Sequence, residues 1–209
     1  MKLRSAGHLH IRHRISHADM NPESLTKHPL RHAIKEFSAA DVAYRKMVDI
    51  GVGDFVEYEK AWRSFLHRIE RVWTKTQAAV HRMPGWTKIE SEISHLRKSD
   101  QLLNYLQQAR NVEEHSIQEL ATDWDAKLTA VQIGTKVQLS WQPWDRPLLP
   151  VTNRGVRFDP PRIHLDKNIE PLLGKGKAET RVVAELALRF YVDFLNRVST
   201  EVVGDKRDV

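Results

Sequence analysis

The feature that most constrains the fold is a three- and four-residue spacing of apolar side chains, repeated over four long segments. This spacing places the apolar side chains on one face of an α-helix. The four segments start near residue 29, after Asp54, after Ser99-Asp100 and near residue 178, and a shorter helical segment covers 86–97. Because each long helix has one apolar face to bury, the simplest arrangement is a four-helix bundle.

Between the third and fourth long helices, the apolar spacing changes from helical to alternating. Apolar residues separated by two positions flank Gly134-Thr135, which predicts a β-hairpin. Asn153-Arg154-Gly155 predicts a second turn between two short strands. The sequence therefore predicts a mainly α fold, a four-helix bundle with a small antiparallel β insert at about 126–166, before the last long helix.

Length and composition narrow the class of protein. The 209 residues suffice for one domain, predicted over 25–203 and followed by a polar tail at 204–209. The absence of cysteine excludes disulfide scaffolds and thiolate metal sites. No apolar run approaches the ~18 residues of a membrane span, and no apolar secretory signal opens the chain, so we expect a cytoplasmic protein without membrane contact. The net charge of +6 is compatible with an anionic partner such as RNA.

Residues 1–24 form a basic segment that contains His8, His10, His13 and His17 and has little apolar periodicity. One interpretation is a flexible arm that contacts a metal or nucleic acid. The other, which we favour, is a flexible leader without a site of its own, because histidines scattered along a flexible chain are not preorganised for binding.

The third long helix carries a polar cluster made of Arg110, Asn111 and His115. At about 100° per residue, Arg110 falls on the same stripe as the apolar Leu103 and Leu106. A permanently charged side chain on a core-facing stripe is costly unless a partner or a ligand meets it. The cluster is therefore the candidate functional site.

The same helical geometry predicts a second, polar stripe of Asn104, Gln108, Asn111 and His115. Arg110 and His115 are about 140° apart around the helix. They can serve one site only if Arg110 bends across the helix, or if the same helix of a second subunit completes a cleft. We accordingly expect a homodimer.

The three side chains of the cluster suit one type of chemistry. Histidine is the side chain best suited to proton transfer near neutral pH. Arginine binds phosphate oxygens and stabilises charge that develops on them, and an asparagine can orient either group. Together they match cleavage of an RNA phosphodiester by the 2′-hydroxyl, a reaction that needs neither a metal nor a cofactor.

Arg110-Asn111-x-x-x-His115, late in a helical domain, resembles the R-x4-6-H motif of the HEPN superfamily. The run at 102–111 also resembles a set of uncharacterised bacterial proteins with this motif. The resemblance implies a helical bundle that dimerises, and a ribonuclease of the kind found in toxin–antitoxin, abortive-infection and CRISPR systems. It places Arg110, Asn111 and His115 at catalytic positions. The β insert and the leader lie outside the resemblance.

We therefore predict a metal-independent endoribonuclease that uses no cofactor and has RNA as its substrate. Its predicted partners are a second copy of itself and an antitoxin-like protein. His115 is the predicted general acid and base, Arg110 the group that stabilises the transition state, and Asn111 the residue that orients them. The predicted substrate-binding residues are Asn104, Gln108 and His164.

Two alternatives keep the same residues but change their role. In the first, the protein is a non-catalytic HEPN-like module that binds a nucleotide, RNA or a protein partner through the same cleft. In the second, the motif fixes helix packing, with Arg110 paired to a buried carboxylate such as Glu113 or Glu114 and His115 in a surface network.

Overall fold

A computed structural model describes residues 28–50, 54–115, 128–133, 136–141, 148–161 and 180–204. For 113–115, 128–133 and 136–141 it describes the backbone alone. The predicted leader at 1–24, the predicted substrate-binding residue His164 and all but the first residue of the predicted tail lie outside the described residues.

The described residues contain five α-helices, and the last of them continues into a π-helical turn. The helices are α1 (Arg31–Ile50), α2 (Phe55–Val80), α3 (Trp86–Ser99), α4 (Gln101–His115) and α5 (Thr180–Val198), and the π-helical turn is Ser199–Val203. Helix α3 runs two residues beyond the predicted end at 97. The description of α4 stops at His115, and residues 116–127 lie outside the described residues.

Two aspartates begin helices as the sequence predicts. The Asp54 carboxylate accepts hydrogen bonds from the backbone N–H groups of Val56 and Glu57, at 2.9 and 3.2 Å. The Asp100 carboxylate accepts one from the N–H of Leu103 at 3.0 Å. These bonds satisfy donors that the first turn of a helix leaves free, and each such cap contributes about 1 kcal/mol.

Two antiparallel hairpins precede α5. Strands β1 (Leu128–Ile133) and β2 (Lys136–Trp141) pair with Ile133 opposite Lys136, and the predicted turn at Gly134-Thr135 between them lies outside the described residues. Strands β3 (Val151–Asn153) and β4 (Val156–Phe158) pair around Arg154-Gly155. The prediction of a mainly helical fold with a small antiparallel β insert before the last long helix is confirmed.

One apolar core joins the helices. Helix α1 packs along α2, α5 packs against both, and α4 packs against α2 and α3. Aromatic rings fill the junctions: Trp62 stacks on Phe65 at 5.5 Å between ring centroids, and Trp73 lies 5.8 Å from Trp86 and 5.7 Å from Phe194. Such pairs add stabilisation beyond the apolar area that they bury.

A buried carboxylate links α1 to α2. Glu36 is 7 % exposed and pairs with Arg68 at 2.8 Å and Arg71 at 2.9 Å. Burial acts to raise the pKa of the Glu36 carboxyl, but the hydrogen bond from Arg68 and the positive charge of Arg71 outweigh it, so the pKa lies below its ordinary value. The two arginines therefore keep Glu36 ionised inside the interface.

Among the residues that the structure describes, no helix is long and apolar enough to cross a membrane.

Candidate functional site

Helix α4 buries one side against the bundle and carries Arg110 at the margin of that side. The buried residues are Leu103, Tyr105, Leu106, Ala109 and Val112, each exposed by 5 % or less. Arg110 is half-buried. The expectation that Arg110 continues the core-facing stripe is therefore corrected: the stripe passes through Ala109 and Val112, which follow Tyr105 by four and seven residues.

The Arg110 side chain contacts its neighbour Asn111. Its Nη1 donates a hydrogen bond to Asn111 Oδ1 at 3.3 Å, and its Nε atom is buried. Asn111 is half-buried like Arg110. The guanidinium thus reaches around α4 towards the polar stripe, which is the bend that one of the two predicted arrangements requires.

The third residue of the motif, His115, ends the described part of α4. It follows Asn111 by one turn of the same helix. Its side chain lies outside the described residues, and so do the side chains of Glu113 and Glu114 and all of His164. The structure therefore brings Arg110 and Asn111 together and carries the helix backbone on to His115.

The two amides predicted to bind substrate are linked to each other and to the β3–β4 hairpin. Gln108 Nε2 donates to Asn104 Oδ1 at 3.4 Å, and Asn104 Nδ2 donates to the Lys98 carbonyl at 3.2 Å. Gln108 Oε1 accepts from Asn153 Nδ2 at 2.8 Å. Gln108 therefore connects the hairpin to α4, Asn104 connects Gln108 to the end of α3, and the contact of either amide with a substrate stays a prediction.

Two further hydrogen bonds dock the segment around the hairpin along the same helix. Tyr105 donates from its hydroxyl to the Leu149 carbonyl at 2.8 Å, and Gln101 Nε2 donates to the Pro160 carbonyl at 3.3 Å. Burial raises the pKa of the Tyr105 hydroxyl, which keeps it protonated as a donor. Val151 of β3 is fully buried and anchors the strand in the core.

These contacts define how the β3–β4 hairpin is oriented along α4. Its base lies beside Gln101 and Tyr105, near the start of α4, and Asn153 at its tip lies beside Gln108. The tip is therefore at the end of the hairpin that is nearer to Asn111.

A second arginine lies in a buried cluster that sequence reasoning missed. Arg97, at 5 % exposure, donates from Nη2 to both carboxylate oxygens of Glu70 at 2.7 Å and from Nη1 to the Tyr191 hydroxyl at 2.9 Å. Its guanidinium carbon lies 5.0 Å from the centre of the Trp73 ring. The available signal was spacing: Arg97 follows the buried Ile93 by four residues and so continues the apolar stripe of α3.

The Arg97 cluster is closed by the fold itself. Burial acts to lower the pKa of Arg97, but the charge of Glu70 and the Tyr191 hydroxyl hold it above its ordinary value. Burial raises the pKa of the Tyr191 hydroxyl, so Tyr191 stays neutral. The guanidinium is thus charged and fully surrounded by side chains from α2, α3 and α5, which makes the cluster structural.

In the part of the chain that the structure describes, no group of three or more histidine, aspartate or glutamate side chains is arranged to hold a metal ion.

The chain matches no protein-family model, no curated protein and no solved structure. The resemblance to the HEPN superfamily therefore rests on Arg110, Asn111 and His115 and on their position late in a long helix of a helical fold.

Proposed function

We propose that the protein is a metal-independent endoribonuclease of the HEPN type. The observation that carries the proposal is the contact of Arg110 Nη1 with Asn111 Oδ1, half-buried and one turn before His115. A half-buried arginine is partly desolvated, which strengthens its interaction with a phosphate.

In the proposed reaction, His115 removes the proton from the 2′-hydroxyl of the RNA. The 2′-oxygen attacks the adjacent phosphorus, and the bond from phosphorus to the 5′-oxygen of the next nucleotide breaks. The matching histidine of a second copy donates a proton to that leaving oxygen. The products are a 2′,3′-cyclic phosphate and a 5′-hydroxyl.

Arg110 has the electrostatic role in this reaction. The pentavalent phosphate gathers negative charge on its non-bridging oxygens, and a preorganised guanidinium stabilises that charge. Asn111 holds the guanidinium on the polar side of α4 through the 3.3 Å hydrogen bond. Asn104, Gln108 and His164 are the proposed substrate-binding residues.

The proposed partners follow from the same chemistry. RNA is polyanionic and the chain has a net charge of +6, which favours their association. A homodimer would supply the second histidine. Such an activity would need control in a cell, and we propose an antitoxin-like protein partner in the cytoplasm, within a toxin or defence system.

The test is RNA cleavage by the purified full-length chain in EDTA. Wild type should cut and leave 2′,3′-cyclic phosphate ends, and His115→Ala should stop cleavage without unfolding the protein. His95→Ala is the matched control, because His95 is an exposed histidine on α3. A wild-type protein that leaves a broad RNA panel intact, or a His115→Ala variant that still cuts, would contradict the proposal.

One observation favours the alternative in which the polar residues fix packing. Gln108 already hydrogen-bonds to Asn104 and to Asn153 of the hairpin, so part of the polar stripe has a packing role. The other alternative, a non-catalytic module that binds RNA, a nucleotide or a protein, predicts for RNA that it binds and survives. If instead RNA neither binds nor is cut, and His115→Ala melts far below wild type, the motif serves helix packing.

A further inference from the structure

The turn between β3 and β4 holds an arginine in an unusual backbone conformation. Arg154 has φ 49° and Gly155 has φ 78°, and Asn153 pairs with Val156 across them, which makes a two-residue turn of type I′. Such turns favour asparagine or glycine at the first position, because a side chain with φ above zero is strained. The turn alone does not select an arginine.

The charge of Arg154 is not neutralised within the described residues. Arg154 is exposed, and no carboxylate in the described part of the chain pairs with it. Arg157, on the same hairpin, is also exposed but donates to Asp159 at 2.8 Å. The hairpin therefore carries one arginine that is open to an anion and one that already has a partner.

The position of Arg154 relates it to the candidate site. It directly follows Asn153, which Gln108 holds at 2.8 Å. Gln108 precedes Asn111 by three residues, so the two lie about one turn apart on neighbouring parts of one helix face. The hydrogen bond to Gln108 thus fixes the residue that precedes Arg154, at the end of the hairpin that is nearer to Asn111.

We propose that Arg154 is a phosphate-binding residue that holds a single RNA strand beside the Arg110–Asn111 site. The inference rests on the proposed function for the identity of the anion. Arg154 binds a phosphate that flanks the scissile bond, and it takes no part in proton transfer. The hydrogen bond between Asn153 and Gln108 fixes the distance between this contact and the site, so that a bound strand is held in one register.

The test measures binding, so it is independent of cleavage. All variants are made in the His115→Ala protein, which is expected not to cleave RNA. The probe is a short single-stranded RNA titrated over a range of salt concentrations. Arg154→Asn removes the charge and suits the turn, so the melting temperature should stay equal or rise. RNA binding should weaken, and the slope of log K against log salt should shrink by about 0.7, the value for one phosphate contact on a single strand.

Arg157→Asn is the matched control, because it removes a charge from the same hairpin that Asp159 already neutralises. It should leave the salt slope nearly unchanged, and Arg154→Lys should restore most of the lost binding. Equal salt slopes for Arg154→Asn and its parent would overturn the inference and leave the proposed nuclease standing. RNA that binds through Arg154 but is never cut by wild type would overturn the nuclease alone, and an absence of RNA binding would overturn both.

Discussion

Arg97 and Arg110 are both arginines next to apolar residues on neighbouring helices, but they have different surroundings. Arg97 is 5 % exposed and meets the Glu70 carboxylate, the Tyr191 hydroxyl and the Trp73 ring. Arg110 is half-buried and contacts the neutral amide of Asn111. The first guanidinium is enclosed by the protein, whereas the second belongs to a residue that is half-buried.

The difference shows that an arginine on an apolar stripe has two explanations. A fully buried guanidinium is tolerated when carboxylate and hydroxyl groups of the fold satisfy it, and no ligand is then needed. A half-buried arginine beside a neutral amide can bind an anion, and its partial desolvation strengthens that interaction. Position in the fold, more than the residue pattern, therefore separates the structural Arg97 from the candidate site residue Arg110.

The largest expected effect on stability is that of Arg97→Ala. Removal of the guanidinium leaves Glu70 partly buried without its counter-ion, and loss of one partner of a buried pair costs about 3–5 kcal/mol of unfolding free energy. Urea denaturation measures this cost. Arg189→Ala is the control, since Arg189 pairs with Glu185 at an exposed position and should cost less than about 1 kcal/mol. Equal losses for the two variants would contradict the structural role assigned to the buried Arg97 cluster.

A smaller effect is expected for Gln108→Leu, which tests how far the polar stripe is structural. The change leaves Asn153 without its acceptor and should lower the unfolding free energy by about 1 kcal/mol. Gln101→Leu is the matched variant, because it removes the hydrogen bond to the Pro160 carbonyl at the opposite end of the hairpin.

Comparison of these two variants separates packing from substrate contact. If Gln108 also binds RNA, Gln108→Leu should weaken RNA binding more than Gln101→Leu does at a similar loss of stability. Equal RNA binding by both variants would assign Gln108 to hairpin docking alone.

Much of the fold follows from local patterns in the sequence. The three- and four-residue spacing predicts the helices. Alternation around Gly134-Thr135 predicts the first hairpin, and the turn residues Asn153-Arg154-Gly155 predict the second. Asp54 and Asp100 are recognisable as caps because their bonds reach only two or three residues ahead.

The roles of the buried polar residues depend on distant contacts and were not predictable. Arg97 bonds to Glu70 and Tyr191, which are 27 and 94 residues away in the sequence. The link from Gln108 to Asn153 spans 45 residues. Helical periodicity gives the face that a residue occupies, but not which side chain of another helix or hairpin meets it. For the same reason, it placed Arg110 on the core-facing stripe rather than at its margin.

The measurement that tests the central claim most directly is RNA cleavage by Arg110→Met in EDTA, made beside its free energy of unfolding. Methionine keeps much of the apolar length of the side chain and removes the charge. We predict a cleavage rate about 10²–10³ times lower than that of wild type, with an unfolding free energy within about 1 kcal/mol of it. Cleavage at the wild-type rate, or a loss of stability as large as that of Arg97→Ala, would contradict the account.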